Sequence, residues 1–396
     1  MKVLVEKLNV ENIPKELRLI LELLKYDNPS KILEINKNLF QAINWDMFID
    51  LAMHHRVYPV LYSKLRMGDR NLIPEFVVDK IYKHYKQNTF QMLFLTAEME
   101  EVSKMFAANN IPVLLLKGPA LAHDLYGDIS LRTSSDLDVL IPIEQLDSAE
   151  EILLDLGYQK DDYIKTVLND WKWRHHHITF IHPLKKIKVE IHWRLSPGPA
   201  KEPGFAELWE RRRQSKLTNQ PMYLLGKSDL FLFLIAHGAR HGWSRIRWLL
   251  DIHQLVGKEL NAEEVHKLLQ DYHSLHLGGQ SLILATELLN TKLSTKMELL
   301  CTRARSWKLA QGAIFYLERM VNLHTDPVPE SAAKYHKQHL FALMSFRQKC
   351  IFILSFLYPY PEDKETLPLP LPLHFLYFPL RPFLWAWRKT RKQALT

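Results

Sequence analysis

Residues 111–141 read IPVLLLKGPALAHDLYGDISLRTSSDLDVLI, and this order of apolar runs, glycines and carboxylates sets the architecture of the chain. The first apolar run predicts a short buried strand, which ends directly at Lys117-Gly118. A helix is expected after that glycine, with Gly127 as its stop signal. A second strand is expected at residues 136–141, where two carboxylates alternate with apolar side chains.

Downstream of this stretch the pattern predicts one more helix and then a pair of strands. The helix, residues 146–156, places its leucines on one stripe, and the strands at 177–181 and 187–193 are joined by a short turn. This order predicts an α+β fold, a small mixed sheet embedded in mainly helical regions. We divide the chain into a helical N-terminal region at 1–110, the α/β core at 111–200, a helical domain at 201–360 and a Pro- and aromatic-rich basic tail at 361–396.

The composition is that of an ordinary globular protein. Of the 396 residues, 47% are hydrophobic and 24% are charged. Cys301 and Cys350 are the two cysteines, so a disulfide framework or a cysteine-ligated zinc site is not expected, and a reducing, cytoplasmic setting fits best. We find neither a signal-peptide pattern nor the roughly 20 apolar residues that span a bilayer. The net charge of +8 is compatible with phosphate ligands, nucleic acid or an anionic membrane.

Three carboxylates form the clearest chemical signal in the sequence. Because side chains alternate along a strand, Asp136 and Asp138 emerge on the same face. Two like charges this close are unfavourable without a cation, and hard oxygen ligands favour Mg²⁺ or Mn²⁺ shared with phosphates. Glu190 points away from the core on the last predicted strand. If the two strands are neighbours, the carboxylates can hold two metal ions for an in-line phosphoryl displacement. The alternative is an exposed sheet face that the aspartates merely solvate.

These motifs resemble the nucleotidyltransferase superfamily with a DNA polymerase beta-like core, and more closely the bacterial nucleotidyltransferase family proteins. The matching pieces are Leu115-Leu116-Lys117-Gly118, Leu125-Tyr126, Arg132, Asp136-Leu137-Asp138, Leu156-Gly157-Tyr158, Val189-Glu190-Ile191-His192-Trp193, His237-Gly238, His241-Gly242-Trp243, Arg247-Trp248 and Asp251-Ile252. The resemblance implies transfer of a nucleoside monophosphate from an NTP, with ATP as the expected donor, to a hydroxyl-type acceptor. It also implies Asp136 and Asp138 as metal ligands, Glu190 as the third carboxylate and Gly118 at the phosphate-binding turn.

The sequence departs from that family pattern beside the glycine. The superfamily usually places Ser or Gly next, whereas this chain has Pro119, and the interval to the aspartates is longer than in the minimal transferases. Triphosphate binding must then depend on other groups, for which the candidates are Lys117, Arg132, Ser134 and Ser135. For Arg132 two roles stay open, a bidentate phosphate contact or an ion pair with a nearby aspartate.

A helical segment after residue 230 carries polar side chains on one predicted face. We expect the substrate groove to be lined by His192, His237, His241, Trp243 and Arg247. A zinc site at His237 and His241 is disfavoured, because a third ligand and the glutamate of metalloproteases are missing from the motif. The alternative is ordinary interhelical packing, with an ion pair between Arg247 and Asp251 at helical spacing.

The C-terminal tail combines prolines, aromatic rings and a basic cluster. Trp385 and Trp387 beside Arg388 and Lys389 suit a membrane surface, where rings lie at the headgroup level and cations meet anionic lipid. The alternative, which we favour, is that the aromatic rings pack onto the helical domain, because the prolines limit formation of an amphipathic helix.

Three functions agree with these features. The first is an active nucleotidyltransferase that modifies a small molecule, a peptide or a protein. The second is a catalytically silent relative that binds a nucleotide or a partner, for which Pro119 is the main support. The third, a glycosyltransferase with a DxD motif, leaves the Lys117-Gly118 turn and Glu190 without a role. Nucleic acid is not expected as the acceptor, since the chain carries neither an RNA-binding motif nor a concentrated basic stripe with aromatics.

Overall fold

A mixed β-sheet forms the centre of the molecule. The computed structural model describes residues 7–26, 37–66, 72–258, 260–323, 325 and 327–393. Within these ranges seven strands form one sheet in the order β3-β4-β5-β2-β1-β7-β6. The strands are β1 (Leu114–Leu115), β2 (Asp136–Leu140), β3 (Gln159–Lys160), β4 (His177–Ile181), β5 (Lys188–His192), β6 (Arg213–Gln214) and β7 (Tyr223–Leu224).

The register of the sheet joins the two strands that carry the predicted carboxylates. β2 pairs with β5 in parallel, and Asp138 lies directly opposite Glu190. β1 pairs antiparallel with β2 on the other side, while β4 and β5 form the predicted antiparallel hairpin. β7 pairs with β1 in parallel, so the sheet reaches residue 224. The boundary that we predicted at residue 200 therefore cuts through the sheet.

Helices cover the sheet and continue beyond it on both sides in sequence. Up to the end of the sheet they are α1 (Lys15–Lys25), α2 (Trp45–His54), α3 (Tyr58–Leu65), α4 (Glu75–Ala108), α5 (Gly118–Tyr126), α6 (Leu146–Asp155), α7 (Trp171–Arg174) and α8 (Phe205–Glu210). After it come α9 (Lys227–Arg240), α10 (Ile246–Val256), α11 (Ala262–Asp271), α12 (Leu275–Leu289), α13 (Thr295–Glu298), α14 (Ala304–Glu318), α15 (Glu330–Leu343), α16 (Phe346–Ser355), α17 (Pro361–Thr366) and α18 (Tyr377–Gln393). The α+β fold class is thus as predicted.

Among the described residues, two large hydrophobic cores and one small cluster around Tyr316 hold these elements together. One core contains β2, β4 and β5 together with α6 and the C-terminal half of α4, through residues such as Met99, Val139 and Ile191. The other core packs helices α1 to α3 against α9, α10, α12 and α14. Val77 and Ile81 in the N-terminal half of α4 belong to this second core. The long helix α4 therefore belongs to both cores.

Two helical predictions are wrong. Residues 237–251 do not form one helix, because α9 ends at Arg240 and the backbone takes positive φ at Gly242 and Trp243 before α10 begins. In the tail, α18 is a helix of 17 residues despite Pro382 inside it. Among the described residues, no helix is both long and apolar enough to cross a bilayer.

Candidate active site

Asp138 and Glu190 lie at the centre of the site, on neighbouring strands. Asp138 is only 1% exposed, and Glu190 is largely buried beside it. One carboxylate oxygen of each and one nitrogen of His192 lie within 4.8 Å of one another. Asp136 emerges on the same face, further out and more exposed, as strand alternation requires. The strand pairing thus brings the three predicted carboxylates to one face of the sheet.

Two lysines neutralise these carboxylates. Lys117 Nζ lies 2.9 Å from Asp138 Oδ1, and Lys188 Nζ lies 2.6 Å from Glu190 Oε1 and 3.3 Å from Asp136 Oδ2. Burial raises the pKa of Asp138, but the charge of Lys117 and the hydrogen bond with His192 outweigh it and hold that pKa well below its usual range. Asp138 is therefore ionised at neutral pH.

His192 lies between the two central carboxylates. Its Nε2 is 3.2 Å from Asp138 Oδ1 and 3.6 Å from Glu190 Oε2. Burial lowers the pKa of His192, but the hydrogen bonds to Asp138 and Glu190 outweigh burial and raise it. For Glu190 burial raises the pKa, and the hydrogen bond with His192 is the main effect that lowers it to about 2. We predicted His192 as a groove residue, and the structure places it inside the carboxylate cluster.

One oxygen in this cluster fits a metal ion. Asp138 Oδ2 is buried and has no hydrogen-bond partner among the described residues, an unfavourable state for a carboxylate oxygen. With Glu190 and His192 nearby, the oxygens and the imidazole nitrogen suit a divalent cation such as Mn²⁺ or Mg²⁺. Asp136 is not among the three atoms that lie closest together, and its role as a ligand stays a prediction.

The Lys117-Gly118 turn connects β1 to α5 next to this cluster. Gly118 has φ of +76°, in the region that L side chains rarely adopt, which explains the glycine. Pro119 occupies the first turn of α5, where its missing N–H leaves no helical hydrogen bond unmade. The remaining N–H groups of that turn form the positive end of the helix dipole. Gly118 thus lies at the turn that begins α5, and phosphate binding there stays a prediction.

The other predicted phosphate-binding residues lie on the loop before β2. Ser134 Oγ donates to the backbone oxygen of Asp136 at 3.2 Å, and Ser135 is exposed. Arg132 is buried and makes a bidentate ion pair with Asp251, at 3.0 Å through both Nε and Nη2. Of the two roles considered for Arg132, the structure therefore shows the ion pair.

Helix α9 and the residue that caps its C-terminus supply two of the predicted groove residues, His237 and His241. The rings of His237 and His241 lie 4.6 Å apart, as their spacing predicts, and both contact Trp248. Burial and the nearby charge of Lys117 hold the pKa of His237 well below its ordinary value. His237 is thus a neutral group close to the cluster.

Trp243 packs against α9, and Arg247 is hydrogen-bonded to the loop before β2. Trp243 is fully buried, and its ring packs so closely on Gly238 that a Cβ atom at Gly238 would lie 2.4 Å from it. Arg247 Nη1 donates to the backbone oxygen and hydroxyl of Thr133. The alternative considered for this segment, an ion pair between Arg247 and Asp251, is not found among the described residues, where Asp251 pairs with Arg132 instead.

Comparison with known proteins identifies the family. A family model described as uncharacterised nucleotidyltransferase matches residues 41–290, more than half of the chain. The chain belongs to this family. As a nucleotidyltransferase it is an enzyme of the class that transfers nucleotidyl groups, in agreement with the sequence prediction. Among curated proteins, none matches the sequence.

Solved structures give weaker similarities. The solution structure of the antibiotic-resistance factor ANT(2'')-Ia is 13% identical over 47% of this nucleotidyltransferase and 93% of its own chain, with a TM-score of 0.34. JHP933 from Helicobacter pylori is 18% identical over 63% of this chain and 98% of its own, with a TM-score of 0.27. Both scores are too low to carry an inference about the acceptor.

Lys188, His176 and Arg240 of this nucleotidyltransferase lie at or next to the site without having been predicted there. The His176 ring lies 5.4 Å from the ring of His192. Lys188 bridges two carboxylates, and its signal was present, since it alternates with the apolar residues of β5 on the same face as Glu190. His176 Nε2 lies 3.1 Å from Arg240 Nη1 and also contacts His177. The contact between His176 and Arg240 joins β4 to α9 across 64 residues of sequence, and local periodicity carries no signal for it.

Proposed function

We propose that this nucleotidyltransferase moves a nucleoside monophosphate from an NTP, with ATP as the expected donor, to a hydroxyl group of a small molecule, peptide or protein. The observation that carries the proposal is the pairing of Asp138 with Glu190 on adjacent strands, with a buried Asp138 oxygen lacking a hydrogen-bond partner among the described residues. Asp136, on the same face, is the third carboxylate of the proposed metal site. A bound Mg²⁺ or Mn²⁺ would polarise phosphate oxygens and neutralise their charge.

The residues around the carboxylates have distinct roles in this proposal. The N-terminus of α5 after Gly118 offers N–H groups to the triphosphate, and Lys117 and Lys188 add positive charge beside it. Glu190 is ionised at neutral pH, since its pKa is lowered to about 2. It is therefore able to accept a hydrogen bond from the acceptor hydroxyl and orient that group. His237, neutral and close to Lys117, is a candidate for contact with the nucleotide or the acceptor.

A protein that binds a nucleotide without transferring it is the second candidate. Pro119 favours this function, because it replaces the Ser or Gly that usually touches the triphosphate in the superfamily. Asp136 favours it as well, since it lies outside the group of closest ligand atoms.

Calorimetric titration tests the proposal. ATP, GTP, CTP and UTP are titrated with and without Mg²⁺ into the wild type, into Asp138→Asn and into a matched control, Asp155→Asn, an exposed aspartate at the end of α6. We expect one NTP to bind only with metal, and Asp138→Asn to weaken that binding about 100-fold or more, as loss of a charged ligand implies. Failure of all four NTPs to bind, or unchanged binding in Asp138→Asn, would refute the proposal.

Release of pyrophosphate separates the two candidates. The NTP that binds is incubated with Mg²⁺ and mixtures of hydroxyl-bearing small molecules, peptides and proteins. Pyrophosphate release that depends on both the acceptor and Asp138 supports transfer. Binding with no release from any mixture assigns the protein to the second candidate.

A further inference from the structure

The C-terminal helices expose an unusual number of large apolar side chains. We define the C-terminal apolar face by its exposed members, which are Phe346, Ile351, Ile353, Leu354, Phe356, Leu357, Leu371, Phe375, Phe378, Phe383, Trp385 and Trp387. They come from α16, α18 and the segments next to these helices. Single exposed apolar residues are normal on a protein surface, whereas a concentration of this size marks a surface that binds something.

Helix α18 is oriented opposite to an ordinary surface helix. Its charged residues Arg381 and Arg388 face inward, where both form ion pairs with the fully buried Asp363 of α17. Its aromatic residues face outward, with Phe383 73% and Trp385 54% exposed. A helix on a soluble protein normally buries its apolar stripe and exposes its charges. The ion pairs with Asp363 thus hold α18 with its rings towards the outside.

Helix α16 continues the same surface. Each of its residues keeps some exposure to solvent, and Ile351, Ile353 and Leu354 are about half exposed or more. Its C-terminal end is joined to α18, because Arg381 Nε donates to the backbone oxygen of Phe356 at 2.6 Å. The C-terminal end of α16 therefore lies next to α18.

The positive charge of the C-terminal segment favours an anionic bilayer over a second copy of the chain as the binding partner. Residues 367–396 contain five Lys or Arg and no Asp or Glu; Arg381 and Arg388 pair with Asp363, and the other three basic residues follow Trp387 in the sequence. Lys389 Nζ lies 5.1 Å from the centre of the Trp385 ring, so cation and aromatic are presented together. A second copy of the chain would bring two positively charged segments together, whereas an anionic bilayer is complementary in both charge and apolarity. Aromatic rings with adjacent cations are also typical of helices that lie in the interface of a bilayer.

We propose that the C-terminal apolar face docks the protein on the surface of an anionic lipid bilayer. Phe383, Trp385 and Trp387 enter the headgroup region, and Lys389 with the basic residues after it contacts the lipid phosphates. The sequence favoured packing of these rings onto the helical domain, and their exposure in the structure argues against that alternative. The proposal does not depend on the activity of the nucleotidyltransferase site.

Vesicle co-sedimentation of the full-length protein tests the proposal. The bound fraction is compared for vesicles of phosphatidylcholine alone and of phosphatidylcholine mixed with phosphatidylglycerol, at low and high salt. We expect binding to the mixed vesicles, weakened by salt because the lipid contacts are partly ionic. The double variant Trp385→Ser/Trp387→Ser should lower the partition coefficient by about tenfold or more, since two large rings no longer enter the interface.

Matched controls keep the test specific. Phe90→Ser removes an exposed ring of α4, outside the C-terminal apolar face, and should bind vesicles as the wild type does. Circular dichroism checks that the variants are folded. Absence of binding to mixed vesicles, or equal binding by the double variant, would overturn the proposal. A wild-type dimer in light scattering that the double variant converts to a monomer, without vesicle binding, would assign the face to a second copy instead.

Discussion

At the residue scale, the ion pair of Lys117 and Asp138 has consequences for stability as well as for chemistry. The Asp138 side chain is fully buried and that of Lys117 is nearly so. The sequence alone predicts that Asp138→Ala leaves the fold intact, because the substitution relieves repulsion between carboxylates. The structure predicts the opposite effect, because the substitution leaves the Lys117 charge buried without its counter-ion.

We therefore expect Asp138→Ala to lower the free energy of unfolding by on the order of 3–5 kcal/mol, measured by denaturant titration without metal. The double variant Lys117→Met/Asp138→Ala should recover part of this loss, since it removes both charges. With Lys117→Met added, a double-mutant cycle gives the coupling free energy between Lys117 and Asp138. If the single and double variants lose equal stability, or Asp138→Ala is as stable as the wild type, the pair does not stabilise the fold.

The predictability of the site differs from residue to residue. Strand alternation placed Asp136 and Asp138 on one face and pointed Glu190 away from the core, because that period is local and follows from backbone geometry. That the two strands are neighbours was only a condition of the prediction, and the structure shows the pairing. The position of His192 among the carboxylates depends on the register between β2 and β5, which no local pattern specifies. The partner of Arg132 was open for the same reason, since Asp251 lies 119 residues away.

At the element scale, Gly242 is one of two residues with positive φ, together with Trp243, at the break between α9 and α10. Gly242 has φ of +63°, and a Cβ atom there would lie 2.4 Å from the Tyr316 ring. Gly127 has a similar φ of +75° but has open space around it, which makes it a matched control. We expect Gly127→Ala to lower the free energy of unfolding by about 1 kcal/mol, the conformational term alone. Gly242→Ala should lower the free energy of unfolding by roughly 1–3 kcal/mol more than Gly127→Ala does, because the Tyr316 ring has to move.

Thermal and denaturant unfolding of the two variants measure this difference. Because the backbone conformation is shared, any excess loss in Gly242→Ala comes from the contact with Tyr316. In the Tyr316→Leu background, which removes the ring, Gly242→Ala should lose little more than Gly127→Ala does; the comparison is made against Tyr316→Leu alone, because Tyr316 is buried and hydrogen-bonded to His336. Equal losses at the two glycines would show that the break between the helices tolerates a side chain.

Elements with a long local signal were predicted well, and short ones were not. The predicted helix at 146–156 and strands at 177–181 and 187–193 match α6, β4 and β5 to within one residue at each end. β3, β6 and β7 have two residues each, which is too short for any periodicity to appear. For α18 the prolines were misleading, since Pro379 lies in its first turn, where proline is tolerated, and Pro382 alone interrupts the helix.

At the scale of the whole molecule, the boundaries drawn from the sequence do not separate cores. The sequence pattern changes at residue 111, and the structure does change there from helix to strand, since α4 ends at Ala108 and β1 is Leu114–Leu115. Nevertheless α4 contributes to both cores, and helices before and after the sheet pack into one of them. The family match over residues 41–290 also crosses the boundaries at 110 and 200. Local hydrophobic periodicity cannot predict packing between segments that are so distant in the sequence.

Glu202 makes the stability of the whole chain depend on pH. Burial raises the pKa of Glu202 to about 7, only partly offset by Arg194. Between its ordinary pKa of 4.5 and 7 the unfolded chain ionises this carboxyl while the folded chain keeps it protonated. The protonated Glu202 therefore contributes fully to the free energy of unfolding below pH 4.5. This contribution is lost as the pH rises to 7, and the loss amounts to up to about 3 kcal/mol. Denaturant unfolding across this range should show the decline in the wild type and a flatter profile in Glu202→Gln. Parallel profiles would place the carboxyl in its ionised form and contradict the raised pKa.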